Sequence, residues 1–159
     1  MNAIQYLRDQ HFEIQSLFDQ FESAARVKTK LRLCRKLVDL LAVHTAIEEM
    51  IFYPAAQAAA VHELLPRAFE RHLSSERIVA EIVAADVGSE RAAAKMALLK
   101  ERKRRHADEE ERELFPRVRE LLTSHQLELV GERMASVADQ LLEPGIGARE
   151  RITARRAVA

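Results

Sequence analysis

The chain has 159 residues, with 25 basic residues against 25 acidic ones. It is one domain in size, and it lacks the basic surplus that a nucleic-acid surface requires. A single Cys excludes a disulfide framework and a thiolate cluster, and fits a reducing compartment. The start, MNAIQYLRDQHFEIQ, has no apolar run or cleavage motif of a leader. No stretch approaches the roughly 18 apolar residues of a membrane span. A soluble cytoplasmic protein without membrane contact is expected. Four Gly, four Pro, no Trp and abundant Ala, Leu, Glu and Arg point to an all-helical fold.

In chain order, Ile4, Leu7, His11, Ile14, Phe18, Phe21 and Ala25 recur in alternating steps of three and four. This is the seam of a bundle helix with a histidine at a core position, and Asn2 can cap its start. A second helix is predicted from Thr29 past Ala55, with Leu33, Leu37, Leu40, His44, Glu48 and Ile51 on one face. Pro54 should kink or end it. After a loop near Val61–Leu65, Pro66 can open a third helix whose inner face reads Phe69, His72, Glu76, Val79 and Val83. Ser89 caps a fourth, which carries Met96, Leu99, His106, Glu110, Leu114 and Val118 and is interrupted at Pro116. Ser124 starts a shorter fifth helix, ending near Leu142 before Glu143-Pro144-Gly145. The domain is expected over 1–143, with residues 144–159 as a flexible tail.

A two-fold repeat underlies this order. His11 and His44 are 33 residues apart, and His72 and His106 are 34 apart. The segment His44-Thr-Ala-Ile-Glu48-Glu49 ends at Tyr53-Pro54, and His106-Ala-Asp-Glu-Glu110-Glu111 ends at Phe115-Pro116. Each half is a helical hairpin of the form His, then His-x-x-x-Glu. Both legs of a hairpin are roughly 22 Å long at ~1.5 Å per residue, so its two imidazoles return to one height. Up-down-up-down packing of the two hairpins gives a four-helix bundle with one central site.

Four residues along a helix turn the side chain by only ~40°, so Glu48 faces inward with His44, and Glu110 with His106. Glu49 and Glu111, one residue on, should face away. His72 and Glu76 repeat the spacing on helix 3 and add an inward carboxylate, either as a ligand or as hydrogen-bond partner of a ligand imidazole. Burying these groups uncompensated costs several kcal/mol per charge (order of magnitude). No basic residue sits consistently on the inner stripes, though Lys103 lies one turn before His106. Metal ions remove the cost, and the count suits two ions bridged by Glu48 and Glu110. Nitrogen and oxygen donors without thiolate favour iron or manganese, with zinc as a competitor. The Glu-x-x-His pairs of ferritin-like bundles do not occur. His62 and His125 are expected at the surface or as caps, and Tyr6 and Tyr53 as packing residues ahead of lining the site.

Asp9-Gln10-His11, His44-x-x-x-Glu48-Glu49 with Tyr53-Pro54, His72, and His106-x-x-x-Glu110-Glu111 with Phe115-Pro116 resemble the hemerythrin-like, HHE cation-binding family over about residues 3–122. The resemblance implies a bundle enclosing a non-haem di-iron centre, with ligands His11, His44, His72 and His106 and bridges Glu48 and Glu110. Oxygen-carrying members have a further His where this chain has Glu76. Their final carboxylate corresponds to Glu111, which makes that residue the alternative to Glu110. Both departures weigh against reversible oxygen carriage. The expected function is a metal-binding protein that binds or senses oxygen, nitric oxide or iron. The alternatives are a di-iron enzyme acting on peroxide or nitrosative damage, and an interaction module stapled by metal.

Overall fold

The structure, a computed structural model, describes residues 1–57 and 63–142. His62 and the expected tail at 144–159 lie outside the described residues. Within them every regular element is helical: α1 (Ala3–Ser23), α2 (Val27–Ile47), α3 (Tyr53–Gln57), α4 (Leu65–Ala84), α5 (Glu90–Glu109), α6 (Phe115–Leu121) and α7 (Ser124–Leu141). A π-helical turn, Glu48–Phe52, joins α2 to α3, and a second, Glu110–Leu114, joins α5 to α6. The result is the up-down-up-down bundle with a fifth helix. Among the described residues no helix is long and apolar enough to cross a membrane.

The ends of the helices follow local chemistry. Asn2 accepts the backbone N–H of Gln5 at the start of α1, and Ser89 accepts that of Ala92 at the start of α5. Thr123, one residue before the expected start, forms a capping box with Gln126 on α7. Pro66 stands in the first turn of α4, where its missing N–H costs nothing.

Two apolar blocks fill the bundle. One, at the end carrying α7, contains Ile4, Leu7, Val43, Ile47, Phe52, Tyr53, Leu114, Phe115 and Met134. The other contains Ile14, Phe18, Phe21, Leu37, Leu41, Ile78, Val79, Ile82, Met96 and Leu99. In sequence, His11 falls between Leu7 and Ile14, His44 between Leu41 and Ile47, and His106 between Leu99 and Leu114. A polar layer therefore separates the blocks. Cys34 is buried in the second block. His125 is exposed in the first turn of α7.

The inner stripe of α4 differs from its sequence reading. Its buried residues are Leu65, Ala68, His72, Ser75, Ile78, Val79 and Ile82. Phe69, Glu76 and Val83 are exposed. His72 and Val79 belong to both readings, but the steps between them fall in the opposite phase. Alternation of three and four allows either phase around a shared residue, and the apolar Ile78 and Ile82 decide it.

Candidate metal centre

The π turns position the carboxylates. At each, one extra residue enters the helix, and the N–H of Tyr53 bonds the carbonyl of Glu48 while that of Phe115 bonds the carbonyl of Glu110. A proline follows directly in both copies, where it could not supply an ordinary helical N–H. The sequence signal was the repeated aromatic-Pro pair. It located the interruption but not its π geometry.

Three imidazoles and two carboxylates form the core of the layer and are almost wholly buried: His44, His72, His106, Glu48 and Glu110. The His11 side chain is 8% exposed. Glu48 lies between the halves, with Oε1 3.2 Å from His44 Nε2 and Oε2 3.1 Å from His72 Nε2. Oε2 of Glu110 lies 3.3 Å from His11 Nε2 and 3.7 Å from His106 Nε2. Donor atoms of His11, His44, Glu48 and Glu110 lie within 4.8 Å of one another, as do those of Glu48, His72 and His106. Glu48 is common to both groups. Glu76 belongs to neither and is exposed, so its expected inward position is corrected: the phase of the α4 stripe puts Ser75 inside instead.

The expectation that Glu49 and Glu111 face away is also corrected. Oε1 of Glu49 is 2.9 Å from His72 Nδ1, and Oε1 of Glu111 is 2.9 Å from His11 Nδ1. Each odd-numbered hairpin leg thus presents a histidine held between the two carboxylates of the opposite half. His44 Nδ1 is 2.9 Å from Oε1 of Gln10. Donation of Nδ1–H outward leaves each of these rings, once neutral, with its Nε2 lone pair toward the interior.

Tyr53 takes the site-lining role that ranked behind packing in the sequence reading. Its ring stacks on His72 with centroids 5.7 Å apart, and its hydroxyl donates to Glu110 Oε1 at 2.7 Å. Phe115, its counterpart in the repeat, stacks on His11 at 6.0 Å. Tyr6 packs against the apolar block as expected.

Electrostatics separate the four rings. Burial opposes a charge on His11, but hydrogen bonds and charge from Glu110 and Glu111 outweigh it and raise the ring to about 9. His72 is raised in the same way, against its burial, by Glu48 and Glu49. Burial lowers His44 and His106. Burial alone would raise the Glu48 carboxyl; His106 and His72 instead hold it well below the usual range.

Six buried side-chain atoms among the described residues have no hydrogen-bond partner: Arg8 Nε, His11 Nε2, His44 Nε2, both oxygens of Glu48 and Glu110 Oε2. Five of the six are interior-facing atoms of the two groups. Orphaned buried polar atoms cost about 1–3 kcal/mol each, and a cation among them would satisfy all five at once. Cations coordinated by imidazole nitrogen and carboxylate oxygen fit this donor set.

Comparison with known proteins agrees with this geometry. The hemerythrin HHE cation binding domain family matches residues 2–118. The fold is shared with a hemerythrin HHE cation binding domain-containing protein, the Rv2633c homolog from Mycobacterium kansasii, solved as a crystal structure. That similarity has 27% identity and a TM-score of 0.78, and covers 96% of this chain and 99% of that one. A search of curated proteins finds no match.

Proposed function

The chain belongs to the hemerythrin HHE cation-binding family, and from that premise we propose that it holds a non-haem di-iron centre that binds a small diatomic ligand, oxygen or nitric oxide. The observation that carries this reading is Glu48, fully buried, with its two oxygens directed at histidines of opposite halves. One carboxylate common to two donor groups supports the reading that two cations would share it. The proposed ligands are His11, His44, Glu48, His72, His106 and Glu110. Iron would supply an electron-rich centre able to bind and reduce such a ligand.

The chain's own residues supply the rest. Glu49, Glu111 and Gln10 orient the rings of His72, His11 and His44. Phe115 and Phe52, packed edge to face with centroids 5.6 Å apart, close one end against water. Tyr53 holds a proton at its hydroxyl, 2.7 Å from Glu110.

Metal analysis of purified protein, with the visible spectrum recorded before and after oxygen and nitric oxide, tests the reading. Close to two irons per chain and ligand-dependent charge-transfer bands are expected. Protein isolated and reconstituted without binding iron would overturn it. Catalytic consumption of peroxide by the loaded protein would favour an enzyme over a binding protein.

A further inference from the structure

α4 is apolar on two faces. One holds the buried residues His72, Ser75, Ile78, Val79 and Ile82. The other reads Phe69, Leu73, Glu76, Ala80 and Val83 in alternating steps of four and three, and all of these are exposed. At ~100° per residue they fall within about 80° of one another, over a length of roughly 21 Å. That is the seam of a coiled coil with one acidic member. Phe69, Leu73 and Val83 are 39%, 57% and 56% exposed, a contiguous apolar strip of the kind that marks an interaction surface. Among the described residues α4 packs mainly on α5, while α7 lies across α1 and α2.

The seam is self-complementary in one orientation. Laid antiparallel on a second copy, about a two-fold axis beside Glu76 and Arg77, Leu73 faces Ala80 and Phe69 faces Val83 and Ala84. The bulky half of each seam meets the small half of the other. Glu76 then faces the partner's Arg77, an exposed residue of the same seam edge, and the contact is made twice by symmetry. Parallel pairing in register sets Glu76 on Glu76 and Arg77 on Arg77, which like-charge repulsion disfavours. A charged residue in an apolar seam fixes register and orientation in this way. Within its own chain Glu76 also attracts the buried Lys103, though less than Glu48, Glu110 and Glu49 do.

We propose that α4 pairs with α4 of a second copy of this chain, antiparallel across Glu76 and Arg77, to form a two-fold homodimer. The dimer goes beyond the metal reading and does not depend on it. Phe69 is also a wall of a cavity of about 220 Å³ that reaches Glu49 and Tyr53, so the partner helix covers that opening. One helix pair lies near the lower limit of about 1,000 Å² for specific association, and a micromolar dissociation constant is expected.

Sedimentation equilibrium of the full chain, metal-free and iron-loaded, tests the pairing at concentrations from about 1 μM to about 500 μM. Circular dichroism shows each variant folded. Wild type should dimerise in both states. Leu73→Glu should weaken association by at least about tenfold, because it places a charge in the apolar seam. Glu76→Arg and Arg77→Glu should each be monomeric alone, since the dyad then gathers like charges, and should form a one-to-one heterodimer when mixed. The double variant Glu76→Arg/Arg77→Glu should dimerise as wild type does. A wild type that stays monomeric would overturn the dimer and leave the seam to another protein or to residues 143–159. A dimer indifferent to Leu73→Glu, or single charge variants that fail to pair when mixed, would overturn the assignment to α4.

Discussion

Tyr53 and Glu110 meet across the two halves of the repeat, the phenol donating a 2.7 Å hydrogen bond to the carboxylate. The reciprocal bond cannot form, because Phe115 occupies the matching position and has no hydroxyl. One carboxylate, Glu48, therefore has both oxygens available to the interior, whereas Glu110 has one oxygen already engaged. The pseudo-symmetric layer is chemically asymmetric at this atom.

Tyr53→Phe isolates that asymmetry. The ring still fills its place against His72, but a buried carboxylate oxygen loses its donor. Metal-free protein should lose about 1–2 kcal/mol of stability, the usual effect of such a loss. Iron content should persist, because no ligand is removed. Urea unfolding and metal analysis check both; a loss of iron would make Tyr53 part of the metal-holding set.

Removing a ligand should behave differently. His44→Ala and His106→Ala each delete one interior-facing imidazole and should lower bound iron to well below that of wild type. His125→Ala removes an exposed ring and should keep the full complement. Equal metal content in all three proteins would defeat the ligand assignment.

Proton release gives a pH signature. His11 rises to about 9 in the metal-free protein, above the roughly 6.5 of an unfolded chain. Its contribution to stability is fully present below about 6.5 and is lost as pH rises through 9. Melting temperature of the metal-free protein should therefore fall between pH 7 and pH 10, other groups being equal. At pH 7 the ring carries a proton that ligation must expel. Calorimetric metal titrations in two buffers of different ionisation enthalpy should show that release. Affinity should climb with pH over the same window, and a flat response would contradict the role given to Glu110 and Glu111.

Gly131 ties the fifth helix to the start of the first. A Cβ added there would lie 2.5 Å from the Met1 carbonyl oxygen and 2.8 Å from the Ala3 nitrogen. Backbone cannot step aside as a flexible side chain would. Gly131→Ala should cost about 1–3 kcal/mol, as overpacking does. Thermal melts measure the loss, and amide exchange should localise it to α7 and the first turn of α1.

Much of this architecture could be read from residue order. The repeat of His, then His-x-x-x-Glu, identified the six side chains that converge in the buried polar layer, because a step of four along a helix keeps the partner on one face whatever the helix packs against. Helix number and the caps at Asn2 and Ser89 followed from equally local chemistry. Tertiary structure decided three matters that local spacing leaves open. Ile78 and Ile82, by packing against the second apolar block, settled the phase of α4 and left Glu76 at the surface. The π turns redirected Glu49 and Glu111 onto rings of the opposite hairpin, a contact between residues as far as 100 positions apart. Packing also brought Tyr53 to Glu110 and drew Lys103 into the interior. Periodicity describes one helix at a time; which hydroxyl or ammonium reaches a given carboxylate depends on how four helices are turned against each other.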